Sequence, residues 1–226
     1  MHDAEPFCQQ PWGGDDMDVV VKVGGSLLES GSLPSLLTTL GELARTHRLV
    51  VVPGGGRFAD AVRRACSLHD PGASAAHWMA ILAMDQHAHL IAGLLPTARL
   101  TTGPEEIERV LAKGLLPVLS PFRWLQVVDP LPHGWHVTSD SIAAWVAARL
   151  CAHRLVLLKS LEGVPSASGD VLAEAHLRSP ALAGIVDEYF ERAVEPGLEC
   201  WVLSGREPHR LCELLSDGRT RGTRLR

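Results

Sequence analysis

Several short clusters hold the residue types that phosphate chemistry needs. They are Lys22-Val23-Gly24-Gly25-Ser26, then Gly54-Gly55-Gly56 followed by Arg57, then Thr138-Ser139-Asp140-Ser141, and Lys159-Ser160-Leu161-Glu162-Gly163. Glycines let a backbone approach a ligand closely and turn its amides inward. A helix N-terminus beside them adds partial positive charge, and a lysine adds a full one. Asp140 has two readings: a helix cap, or a carboxylate that orients lysines or holds Mg2+. Lys159 is either an exposed lysine at a strand end or a charge on the ligand edge. Neither GxGxxG nor GxxxxGK[ST] occurs, so a nucleotide would be held by another kind of loop.

The elements that must position these clusters are legible as apolar runs. Asp18–Val23 reads as a buried parallel strand ending at the first glycines, and Leu49–Val52 as a second ending at Pro53 and Gly54. Ligands of open α/β sheets bind at the carboxyl ends of strands, so both glycine loops fall on one edge and can hold two phosphate-bearing groups face to face. Leu33–His47 has helical leucine spacing, and a helix follows the second glycine loop to about Ser67. Ala75–Leu95 reads as a long helix. Ala98–Thr101 reads as a strand, with a helix from Pro104 after it. Leu115–Leu119 is a strand despite Pro117, and Trp124–Val128 another. Ser139–Ala152 is an alanine-rich helix and Leu155–Leu158 a buried strand. Residues 159–198 are irregular, with short helices near Ala181 and Asp187. Glu199–Leu203, Glu207–Leu215 and Thr223–Leu225 read as strand, helix and edge strand. This alternation predicts an α/β fold with a mainly parallel sheet covered by helices.

On the long helix His77, Ile81, Met84, Ala88 and Ile91 share one face. His77 is therefore a packing residue or a ligand of the acceptor. Asp85 and His89, four apart, suit a salt-bridged or solvated face better than a metal site, since no third ligand is evident. Arg57 could meet an anionic acceptor, while Arg63 reads by default as surface charge. Of the six tryptophans, one or two could stack on a flat ring.

The chain has 226 residues, 46% hydrophobic and 21% charged, which suits one domain with a full core and excludes a disordered protein. A net charge of −5 argues against a nucleic-acid partner. No apolar run is long enough to span a membrane. Residues 1–17 read as a flexible tail without a secretory pattern. Five scattered cysteines without CxxC suggest a reduced, cytoplasmic chain.

Taken in order, Lys22–Ser26, Gly54–Gly56, Ser139–Ala143 and Lys159–Val164 resemble the amino acid kinase superfamily, and Gly218–Thr223 resembles its closing Gly-Thr element. The resemblance spans about residues 18–225. It implies a three-layer α-β-α sandwich with a carbamate kinase-like fold, an acceptor side over about 18–135 and a nucleotide side over about 136–226. It implies ATP with Mg2+ and a small phosphorylated substrate, in a homo-oligomer. Lys22 would neutralise the transferring phosphoryl group, with Asp140 organising Lys22 and Lys159. Gly24, Gly25, Ser26, Lys159 and Gly163 would face the nucleotide. Gly54, Gly55, Gly56, Arg57 and His77 would face the acceptor, with His77 a hydrogen-bond donor to its phosphate when protonated. The phrases His77–Gln86, Val137–Trp145 and Glu199-Cys200 are similar to the aminomethylfuran-methyl-phosphate kinases of methanofuran-type pathways, which extend a phosphomonoester to a diphosphate. An oxyanion-storing protein on the same fold, or a kinase for a carboxylate or carbamate, are the competing readings.

Overall fold

A computed structural model describes residues 16–226. Eight strands form one sheet in the order β3-β4-β2-β1-β5-β7-β8-β6. The centre is β1 (Val19–Val23), paired in parallel with β2 (Leu49–Pro53) and β5 (Arg154–Lys159). All five residues of β1 and of β2 are buried, as continuous apolar runs require when helices cover both faces. Outward on one side lie β4 (Leu116–Leu119) and β3 (Ala98–Thr101). On the other lie β7 (Glu199–Ser204), β8 (Thr223–Leu225) and the short β6 (Glu174–Ala175), with β8 antiparallel to β7. The edge on this side is thus β6, with β8 inside it. Pro117 has no N–H for the ladder, and the pairing of β4 with β2 narrows to Val51↔Val118.

Strand alternation sorts the core into two layers. Val20, Val50, Val52, Leu155 and Leu157 face one way, against α6 (Ser139–Arg149) and α5 (Phe122–Val128). Val19, Val21, Val51, Val156 and Leu158 face the other, against α1 (Leu33–Leu43) and α8 (His209–Asp217). The long α3 (Ala73–Leu94) serves both clusters: Ile81 and Met84 join the first, Ala88 and Ile91 the second. Next to it runs α2 (Gly56–His69), which starts at the second glycine loop. The remaining helices are α4 (Pro104–Leu111) and α7 (Phe190–Ala193). The fold is the expected α-β-α sandwich.

Some expectations fail locally. Trp124–Val128 belongs to helix α5, not to a strand. Its start is set by Pro121 and by the Asp85 carboxylate, which accepts the Phe122 N–H at 3.1 Å. Val127 and Val128 are exposed there, so their β-branching is outvoted by the turn that Leu125 buries. Asp85 is consequently an N-terminal cap from a neighbouring helix, and burial raises its pKa above the usual carboxylate range. The second short helix of the irregular stretch begins at Phe190, beyond Asp187. Cys66, Cys200 and Cys212 are free thiols. The expected tail lies outside the described residues except for its last two.

Candidate active site

Period-two alternation delivers both lysines to the same place. Lys22 follows Val20 on the face of β1 that meets α6, and Lys159 follows Leu155 and Leu157 on the same face of β5. Asp140, in the first turn of α6, lies between them. Its Oδ1 is 2.9 Å from Lys22 Nζ, and Lys159 Nζ donates to Oδ1 at 2.8 Å and Oδ2 at 2.7 Å. Burial opposes ionisation of Asp140, but the two ammonium groups override it and hold the carboxyl below its ordinary pKa. Burial, followed by the neighbouring Lys22 charge, lowers Lys159 to about 8. Two cations and one buried anion leave net positive charge at the carboxyl edge of the sheet.

Asp140 is not simply a cap. The N-cap residue of α6 is Thr138, and the helix start is held by Asp187, a residue that sequence reasoning did not single out. Asp187 Oδ2 accepts from Thr138 N at 2.9 Å, Thr138 Oγ1 at 2.7 Å and Ser141 N at 3.1 Å, and Ser141 Oγ donates to Oδ1. Asp140 sits between the two residues so fixed.

The glycine loops above this triad touch each other. A Cβ on Gly25 would lie 2.3 Å from the Gly56 N and Cα, so only glycine permits the approach. Gly24 N donates to Leu158 O at 2.9 Å and Gly54 N to Val23 O at 2.8 Å, which ties each loop to a strand. Ser26 Oγ donates to Ser160 Oγ at 3.3 Å, linking the first loop to the segment after β5. Gly163 faces protein instead: its missing Cβ would meet Val171 and Thr223 within 3 Å.

Beside the second loop opens a cavity of about 500 Å3 whose wall includes Gly55, Arg57, Arg63, His77, Trp135 and Ser139. Arg63 does more than carry surface charge. Its guanidinium lies 4.7 Å from the Trp135 ring centroid and pairs with Asp60 at 2.9 Å. His77 is buried and stacked on His133, with ring centroids 4.4 Å apart and planes at 17°. His133 is itself fixed between Asp129 and Ser74, each at 2.8 Å. Burial, then His133, lowers the His77 pKa to about 4, so its imidazole is neutral near pH 7 and not the protonated donor that was expected. Trp135 is one of the six tryptophans that could stack on a flat ring, whereas His133 carried no signal of its own in the sequence, since its contacts with His77 and Trp78 depend on the loop that leads into α6. Among the described residues no cluster of three His, Cys, Asp or Glu side chains could hold a metal, and no helix is long and apolar enough to cross a membrane.

The family model described as Amino acid kinase family matches residues 17–177. The chain belongs to the amino acid kinase family. The [5-(aminomethyl)furan-3-yl]methyl phosphate kinase of Methanocaldococcus jannaschii is 26% identical over 201 residues, which are 87% of this chain and 92% of that protein. An acetylglutamate kinase of Methanothrix thermoacetophila is 31% identical over 129 residues, 50% of this chain and 43% of that protein. The crystal structure of uridylate kinase from Archaeoglobus fulgidus superposes with a TM-score of 0.71 at 21% identity, covering 93% of this chain and all of that one. As an amino acid kinase family member the protein is a phosphotransferase, and its fold is shared with the uridylate kinases.

Proposed function

We propose that the protein transfers the γ-phosphoryl group of ATP to a phosphomonoester, giving a diphosphate, and that the acceptor is an aminomethylfuran-methyl phosphate. The observation that carries the reading is the backbone contact of the two glycine loops directly over the Lys22–Asp140–Lys159 network. A donor chain along the Gly24–Ser26 loop and an acceptor phosphate along the Gly54–Gly56 loop would then meet end to end. An oxygen of the acceptor phosphate forms the new bond to phosphorus as the β–γ bridging bond breaks, and ADP leaves. Such transfer needs alignment and charge stabilisation more than a strong base. Lys22 neutralises the moving group, and Lys159 the nucleotide phosphates.

Asp140 fits the role of orienting both lysines. It does not fit that of a metal ligand, because ammonium groups already occupy both of its oxygens. Mg2+ would accordingly arrive on the nucleotide phosphates and supply further charge neutralisation there. Arg57 and Arg63 favour an anionic acceptor, and the Trp135 face suits a flat ring. The similarity to the archaeal aminomethylfuran phosphate kinase along most of both chains supports the furan identity. A homo-oligomer belongs to the same reading, since α3 exposes Leu82, Leu90 and Leu94 along one side. The test is incubation with Mg2+–ATP and [5-(aminomethyl)furan-3-yl]methyl phosphate, with ADP and product mass measured. A diphosphate product is expected. Turnover of N-acetylglutamate or another carboxylate instead would reject the acceptor, and oxyanion binding without ATP turnover would reject catalysis.

A further inference from the structure

His87 is one of the most buried polar residues of the protein, at 1% exposure, and no role above uses it. It lies on α3 behind the second glycine loop. Its Nδ1 hydrogen-bonds the Gly54 carbonyl, its Cε1 fills the place where a Cβ of Gly56 would stand, and its ring meets the Phe58 edge with centroids 5.3 Å apart. We propose that His87 is a positioning residue: by holding the Gly54 carbonyl, it turns the Gly55 N–H toward the acceptor's phosphate. The inference rests on the reading that the Gly54–Gly56 loop receives that phosphate.

The geometry of one peptide unit carries the argument. The Gly54 carbonyl can only accept, so Nδ1 must bear the hydrogen. Burial lowers the His87 pKa, which leaves the ring neutral with that single N–H. Nε2 then holds a lone pair and has no partner among the described residues. The described peptide bonds are all trans, so the C=O of Gly54 and the N–H of Gly55 point in opposite directions. With the carbonyl turned back to His87, the N–H points away from α3. Gly55 lines the acceptor cavity, and among the described residues its N–H has no backbone acceptor.

A run of three glycines has no side chain to hold its peptide planes. Were the Gly54–Gly55 plane to rotate by half a turn, a carbonyl oxygen would face the phosphate in place of an N–H and repel it. The fixed donor is what a phosphate needs in a dry site. A purely space-filling His87 would need no donor at Nδ1.

That difference supplies the test. Asn carries an amide N–H close to where His carries Nδ1–H, whereas Leu and Met fill space without a donor. In the full-length protein His87→Asn should keep the acceptor KM within about threefold of wild type. His87→Leu should raise it at least tenfold, with ATP KM within about twofold in both. His87→Met replaces His87→Leu if circular dichroism shows that the latter does not fold. In a parallel experiment, glycine-15N protein is titrated with inorganic phosphate. The Gly55 amide resonance should move in wild type and His87→Asn and stay still in the apolar variant. The proposal is overturned if Asn and the apolar variant behave alike in KM, if acceptor and ATP KM rise together, or if Gly55 ignores phosphate in wild type. If the furan phosphate is not a substrate, the acceptor reading fails, and the phosphate titration still decides the role of His87.

Discussion

Burial and the second ammonium beside it lower the Lys159 pKa, the two Asp140 oxygens within hydrogen-bond reach raise it, and the balance leaves it at about 8. A lysine with a lowered pKa is protonated below that value and loses its charge as pH rises through it. Activity under kcat/KM conditions, which reports the free enzyme, should fall on a limb with an apparent pKa near 8. The kcat limb should lie higher, because bound phosphates favour the protonated amine. Coincident limbs would take Lys159 out of phosphate binding. Lys22→Ala should cost turnover at least about tenfold, roughly 1.4 kcal/mol of barrier, with a smaller effect on ATP KM. Asp140→Asn should cost at least as much, since two buried ammonium groups then lack their anion. Wild-type turnover in either variant would remove that residue from catalysis. These residues were legible because alternation along a strand is local. The neutral state of His77 was not, since it depends on burial and on a stack with His133, 56 positions away in sequence.

Elements are positioned here by carboxylates that come from elsewhere in the chain. Asp85 caps α5, and Asp187 takes the N–H and hydroxyl groups of Thr138 and Ser141 at the start of α6. The helical character of α6 was legible from its alanines. The reason for its register was not, because Asp187 is 46 residues beyond Ser141. In the same way β-branched Val127 and Val128 pointed to a strand, and only the distant cap explains the helix. Asp187→Ala should destabilise the protein by about 1–3 kcal/mol, through the loss of hydrogen bonds to a charged acceptor. That corresponds to a fall in Tm of very roughly 3–10 °C for a chain of this size. Turnover should drop as well, because Asp140 is released from its place between Lys22 and Lys159. Asp187→Asn should rescue in part, since its carbonyl oxygen can take the place of Oδ2 and its NH2 can donate to the Ser141 hydroxyl, with only the charge lost. A stable Asp187→Ala variant with full turnover would show that α6 holds Asp140 without this contact.

Across the whole molecule, the sheet joins a half built on β1 to β4 with a half built on β5 to β8, and the lysines stand where β1 meets β5. The parallel centre of the sheet and the strands β5, β7 and β8 were readable from their apolar runs, but the short β6 was not, because the irregular stretch that carries it is closed by long-range side-chain bonds. Thr223 on β8 is the main fastener. Its buried Oγ1 accepts the Val164 N–H at 2.8 Å and donates to Leu172 O at 2.6 Å, drawing the segment after Lys159 onto the end of the chain. Gly163 packs against the same hydroxyl, so the space a Cβ would take there is filled by protein. Thr223→Val keeps the shape but strips both bonds and leaves a buried N–H without an acceptor. A loss of about 1–3 kcal/mol is expected. The kinetic consequence should be one-sided: ATP KM rises severalfold because the Lys159 segment loosens, while the acceptor KM, which the proposed function ties to the Gly54–Gly56 loop after β2, stays near wild type. Thermal melts and separate titrations of the two substrates check this. Equal changes in both KM values would mean that the two halves of the sheet respond as one unit and that the donor and acceptor sides are not separable in this protein.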